Sequence, residues 1–170
     1  MAQLSTEVLG DERGTLLAFV EAQRAAIRES LLGLGEEQAA SRPSVSELSL
    51  SGVLKHVAEC ELGWLRLAQQ RPNERERNEE TYGEMFRLVE GESVASVLAF
   101  WDGVRQETEA FVAAAASLDI TFPLPQAPWF PEDGKVSIRW MLLHLVEEFA
   151  RHAGHADIVR ESLDGTRAMG

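Results

Sequence analysis

Apolar residues recur at spacings of three, four and seven along four long segments of this chain, and no stretch alternates as a strand does. The first segment covers 11–34, where Leu16, Leu17, Val20, Ile27, Leu31 and Leu34 share a face and Gly33 and Gly35 stand as stop signals. The second follows SRPSVSELS: Ser49 or Ser51 is the expected cap, and Val53, Val57, Cys60, Trp64, Leu67 and Ala68 form one stripe. The third runs over 93–117 behind Ser93, burying Val94, Val97, Leu98, Trp101, Val104, Phe111 and Val112. The fourth starts after Ser137 and reaches Leu163, with Gly165 just beyond it. Four such helices predict an all-α fold, a four-helix bundle with long crossover loops, occupying residues 1–170 as a single domain.

Two connections differ in character. Residues 71–80 (RPNERERNEE) carry seven charges in ten positions, so a solvated loop with little to bury is expected. Residues 121–135 hold four of the six prolines, which predicts an ordered, non-helical crossover. Phe122, Trp129 and Phe130 give that crossover apolar side chains to pack over the bundle or roof a pocket.

A net charge of −12 opposes binding to a polyanion, so no nucleic-acid partner is expected. No apolar run reaches the ~18 residues of a membrane span, and the start of the chain lacks the basic and apolar regions of a secretory signal. The only cysteine, Cys60, excludes an internal disulfide. These features predict a cytoplasmic protein with no membrane partner.

The four histidines are placed selectively. With His144 set to zero on the wheel of the fourth helix, His155 falls at about 20°, Glu148 at about 40° and His152 at about 80°. Met141, Val159, Leu145 and Leu163 lie on that same face, which must point into the bundle. On the second helix His56 shares its face with Val53, Cys60, Trp64 and Leu67. A buried carboxylate is costly unless paired or coordinated. A divalent metal held by His56, Glu148 and His152 would satisfy it, and three nitrogen and oxygen ligands with an open position is the catalytic pattern. The competing reading is a hydrogen-bonded core network. His144, His155, Cys60 and Trp64 suit the pocket wall or the shell behind the ligands, with Trp129 above them. Glu147, Arg139 and Arg151 fall away from the stripe and read as surface charges.

The stretches LSLSGVLKHVAECELGWL (48–65) and LLHLVEEFARHAGHADIVRESLDG (142–165) resemble the DinB-like superfamily of metal-binding four-helix proteins. They are most similar to an actinobacterial branch of uncharacterised proteins related to mycothiol-dependent maleylpyruvate isomerase. LLAFVEAQRAAIRESLLGLGEEQAASRP (16–43) extends the resemblance over nearly the whole chain. It implies a metal triad at His56, Glu148 and His152, with zinc the first expectation and nickel, iron or manganese compatible with the same ligands. It also implies mycothiol or a similar low-molecular-weight thiol as partner, a small electrophile as substrate, and a homodimer. The isomerase's further C-terminal domain has no counterpart in these residues.

The expected activity is a metal- and thiol-dependent transferase or isomerase acting on that electrophile. Two other readings stand beside it: a non-catalytic bundle that binds metal or thiol, and a metal-dependent hydrolase using bound water. Bundles of this superfamily serve several reactions, so fold and metal leave the substrate open.

Overall fold

The computed structural model describes residues 11–128 and 130–168. Helix α1 (Glu12–Glu29) packs on α5 (Ile138–Asp164), while α3 (Leu50–Gln69) lies between α4 (Val94–Ala114) and α5. A short α2 (Glu36–Ala40) and a 3₁₀ turn (Tyr82–Phe86) cover the outer side of α3. The architecture is the expected all-α bundle. No described helix is long and apolar enough to cross a membrane.

Local chemistry explains the boundaries. Ser49, not Ser51, caps α3, its hydroxyl accepting from the Gly52 amide at 3.1 Å. Ser93 and Ser96 form a reciprocal capping pair at the start of α4, and Ser137 caps α5 by accepting from the Trp140 amide at 3.1 Å. Helix α5 ends at Gly165, whose φ of 78° is the left-handed stop foreseen for it. The first helix stops earlier than its apolar pattern suggests. The Ser30 hydroxyl bonds back to the Ile27 carbonyl at 2.7 Å, and Gly33 turns the chain at a φ of 77° toward α2.

The proline-rich crossover departs from the sequence reading. Thr121–Pro123 (β1) and Lys135–Ser137 (β2) pair antiparallel, Phe122 opposite Val136, making a small two-stranded sheet. Three residues per strand are too few for alternation to register in the sequence. The sheet matters because it runs straight into α5. The amides of Ile138 and Arg139 donate to the Ile120 and Leu118 carbonyls, both at 3.0 Å. The first turn of α5 is thereby tied to the end of the α4 connection.

Residues 71–80 also depart from expectation. The segment is a loop, but it lays Arg75 and Arg77 across α3 as counter-ions for buried carboxylates. Helix α3 is consequently buried on its polar side as well, at Lys55, Glu59, Glu61 and Arg66. Deeper still, the fully buried Glu61 carboxylate accepts both arms of Arg24 and the Trp101 indole N–H at 2.8 Å. Around this pair the core is filled by Val20, Ile27, Leu62 and Leu145, with Trp101 meeting Phe149 edge-on at 5.7 Å.

Candidate metal centre

Helices α3 and α5 bring together residues 92 positions apart. Oε1 of Glu148 lies 3.1 Å from Nε2 of His56 and 3.2 Å from Nε2 of His152. The ligand atoms that these three side chains offer all fall within 4.8 Å of one another. One carboxylate oxygen thus stands between two imidazole nitrogens. Hydrogen bonds from His152 and then His56 hold the Glu148 carboxyl far below the usual carboxylate range, against the opposing effect of burial. The anion is therefore permanent at neutral pH.

The donor chemistry fits a divalent ion. Two imidazoles and one carboxylate form a borderline set, and i, i+4 spacing on α5 lets Glu148 and His152 converge from adjacent turns. His56 and His152 have no hydrogen-bond partner at Nδ1 among the described residues. Their rings are held by packing instead. Phe86 stacks on His56 at 4.6 Å and 18°, while His155 meets His152 edge-on at 5.2 Å.

The side chains expected around the triad take distinct places. Cys60 lies one turn beyond His56, and its thiol is pushed up to about 12, first by burial and then by the Glu148 and Glu61 carboxylates. It stays protonated at neutral pH. Trp64 follows one turn later, and His144 packs against it at 4.7 Å while stacking on Trp140 at 5.0 Å. Burial lowers the pKa of His144 and of His155, so both rings are neutral. None of these four joins the donor cluster; Cys60 and Trp64 line a cavity that His144 and His155 do not. Trp129 lies outside the described residues.

A cavity of about 470 Å³ opens on His56, Cys60 and Trp64, with Tyr82, Met85 and Arg71 on its other walls. A larger cavity of about 580 Å³ lies between α1 and α5, lined by Ala26, Ala153, Asp157 and Arg160. It contains none of the triad, so size and chemistry point to different places, and the chemistry decides.

Arg151 is the exposed charge expected of it, and it also approaches the triad. It bonds the exposed Glu147 as a surface charge would, at 2.8 Å, but its other nitrogen lies 3.8 Å from Oε2 of Glu148. Its length lets it reach back over one helical turn, which a wheel of Cα directions cannot express. Arg139 does behave as a surface charge, paired with Glu12 and Asp119.

Three residues that position the site were assigned no role from the sequence. A Cβ on Gly52 would lie 2.1 Å from the Phe86 carbonyl oxygen, so only glycine lets the 3₁₀ turn seat against α3. The buried Lys55 ammonium donates to the Arg87 carbonyl at 3.1 Å and to Glu92 at 2.6 Å, anchoring that turn from below. Phe86, between these anchors, is the plate on which His56 rests. Their significance depends on contacts 30 to 37 residues away in sequence.

Among solved structures, the chain resembles one titled as a conserved protein of a locus from Enterococcus faecalis. The TM-score is 0.70 at 13% identity, covering 91% of this chain and 98% of the other. That likeness supports the fold alone. No curated protein sequence matches the chain. The mycothiol-S-transferase family, in contrast, matches residues 15–165, which includes every side chain of the triad and of the cavity. The chain belongs to the mycothiol-S-transferase family, a DinB-like family.

Proposed function

We propose that this protein is a divalent-metal-dependent transferase that joins a small electrophile to the sulfur of mycothiol or a closely similar thiol. One observation carries the reading: in a chain of this family, a single carboxylate oxygen sits between two imidazole nitrogens, and one of those imidazoles, His56, lines a cavity. His56, Glu148 and His152 would hold the ion, and zinc suits two imidazoles and a carboxylate. When bound, such an ion supplies Lewis acidity that lowers the pKa of a thiol reaching it.

The remaining chemistry belongs to the chain. In the transfer, sulfur donates an electron pair to the electrophilic carbon, the leaving group departs with the pair of the broken bond, and the thiol proton passes to solvent. Glu148 stays anionic, so it favours a positive ion between the imidazoles. Phe86 and His155 fix the two rings by packing, and ligands held in place in advance need little reorganisation. Cys60, kept protonated, does not compete with the cofactor thiol as a nucleophile. Trp64 walls the same cavity as His56 and gives it apolar surface. A low-molecular-weight thiol cofactor is consistent with action in the cytoplasm.

The test is metal content by elemental analysis, on protein purified without a nickel column, for wild type beside His152→Ala. Near-stoichiometric zinc or another divalent ion, lost in the variant, is expected. Turnover of a thiol-reactive electrophile should then require both the ion and the added thiol. Metal-free wild type that also fails to take up zinc on titration would end the reading. Turnover that proceeds without thiol would replace it with metal-dependent hydrolysis. Capture of the ion by a fourth protein ligand would favour a non-catalytic site, but Cys60 and His155 both stand outside the three-residue donor cluster.

A further inference from the structure

We infer that the electrophile accepted by the 470 Å³ cavity is an uncharged, planar, electron-poor molecule and not a carboxylate. The inference rests on the proposed transferase reading and specifies its substrate. Four guanidinium groups line the cavity, which at first suggests an anion site. Each is already bound to carboxylates of the chain. Arg66 makes paired contacts with Glu74, at 2.7 and 2.8 Å, and with Glu107, at 2.7 and 3.0 Å. Arg71 reaches Glu107 at 3.3 Å. Arg75 bonds Glu92 at 3.0 Å and lies 3.6 Å from Glu59. Arg77 grips Glu59 with two nitrogens, at 2.6 and 3.1 Å, and Glu84 with a third, at 2.9 Å.

With Lys55 bonded to Glu92, five cations meet five carboxylates of the chain, and Glu76 and Glu148 add negative charge beside them. An incoming carboxylate would have to displace one of these partners. At Arg75 and Arg77 the displaced partners include Glu59, whose side chain is only 3% exposed and is costly to leave unpaired. At Arg66 an incoming carboxylate would break one of two paired contacts, with Glu74 or Glu107. The network therefore neutralises its own arginines and rejects an anion.

The uncharged walls say what fits instead. Trp64 and Met85 present apolar surface beside Tyr82, and Trp64 is a rigid platform. Trp140 at 5.2 Å, His144 at 4.7 Å and Phe130 at 6.4 Å support it from other sides. An indole fixed in this way favours a flat, electron-poor partner stacked on its face. His144 adds no charge there, because burial keeps it neutral.

The test uses an unreactive matched pair, 1,3-dinitrobenzene and 3,5-dinitrobenzoate, titrated by calorimetry and tryptophan quenching into metal-stripped and metal-loaded protein. The neutral compound is expected to bind at least tenfold more tightly in both forms, and Trp64→Leu should abolish the difference. Should that variant unfold, Tyr82→Ala at an exposed position provides the second probe and should weaken binding severalfold. Glu107→Gln, which frees charge on Arg66 and Arg71, should raise affinity for the carboxylate severalfold. Equal or tighter binding of the carboxylate, or binding of neither compound, would overturn the inference. The titration into metal-stripped protein needs neither metal nor thiol, so its failure is distinguishable from failure of the transferase reading.

Discussion

Replacing Gly52 with alanine should destabilise the protein and loosen the proposed metal centre together. At an open helical position the same change stabilises by about 1 kcal/mol, because alanine loses less backbone entropy on folding. Here the new Cβ would lie 2.1 Å from the Phe86 carbonyl oxygen and 2.9 Å from its carbon, both backbone atoms. Restoring van der Waals distance requires the 3₁₀ turn to withdraw by about 1 Å. Overpacking of this kind costs about 1–3 kcal/mol, and straining the Lys55 bond to the Arg87 carbonyl adds about 1. Set against the helix gain, the net loss is about 2 kcal/mol, or about 4–8 °C in Tm for a chain of this size. Gly103→Ala is the internal control, since a Cβ there meets nothing within 4 Å and should raise Tm slightly. Withdrawal of Phe86 also removes the plate under His56, so metal affinity in chelator competition should fall about tenfold. Equal melting temperatures for Gly52→Ala and Gly103→Ala, with unchanged affinity, would refute the reasoning.

Other outcomes follow from the same contacts. Arg24→Met strands the buried Glu61 carboxylate and should cost about 3–5 kcal/mol in urea unfolding, whereas Arg24→Met with Glu61→Leu should recover most of that loss. His144 and His155 both titrate below the usual imidazole value when folded, so the unfolded chain binds more protons between the two values. Stability should therefore be complete above the ordinary imidazole pKa and decline as pH falls below it, and His155→Gln should flatten the urea midpoint between pH 7 and pH 5. Iodoacetamide should label Cys60 far more slowly than a free cysteine at pH 7, and Cys60→Ser should keep its metal; rapid labelling seen by mass spectrometry would contradict the raised thiol pKa.

Much of the site was legible in the sequence because helical geometry is local. The wheel of residues 138–164 sets Glu148 and His152 on the apolar face, and the wheel of residues 50–69 does the same for His56. Serine caps and glycine stops likewise act within one turn of their own position, so both ends of α5 could be read directly. The start of α3 was narrowed to Ser49 or Ser51, whereas α3 stops at Gln70 without a glycine. The charged segment over 71–80 misleads for the converse reason. Its composition describes what each residue prefers alone, while Arg75 and Arg77 acquire their roles from Glu59 and Glu92 on other elements.

The sequence by itself determined that the chain is helical, that His56, His152 and Glu148 lie on the apolar faces of their helices, and that the chain carries a net charge of −12. Each of these depends on periodicity or composition. Tertiary structure alone decided that one oxygen of Glu148 meets both imidazoles, that Gly52 and Lys55 seat Phe86 over His56, and that the cavity's arginines are already neutralised. These facts join side chains tens of residues apart, at distances fixed by how the helices pack. No local pattern encodes such distances.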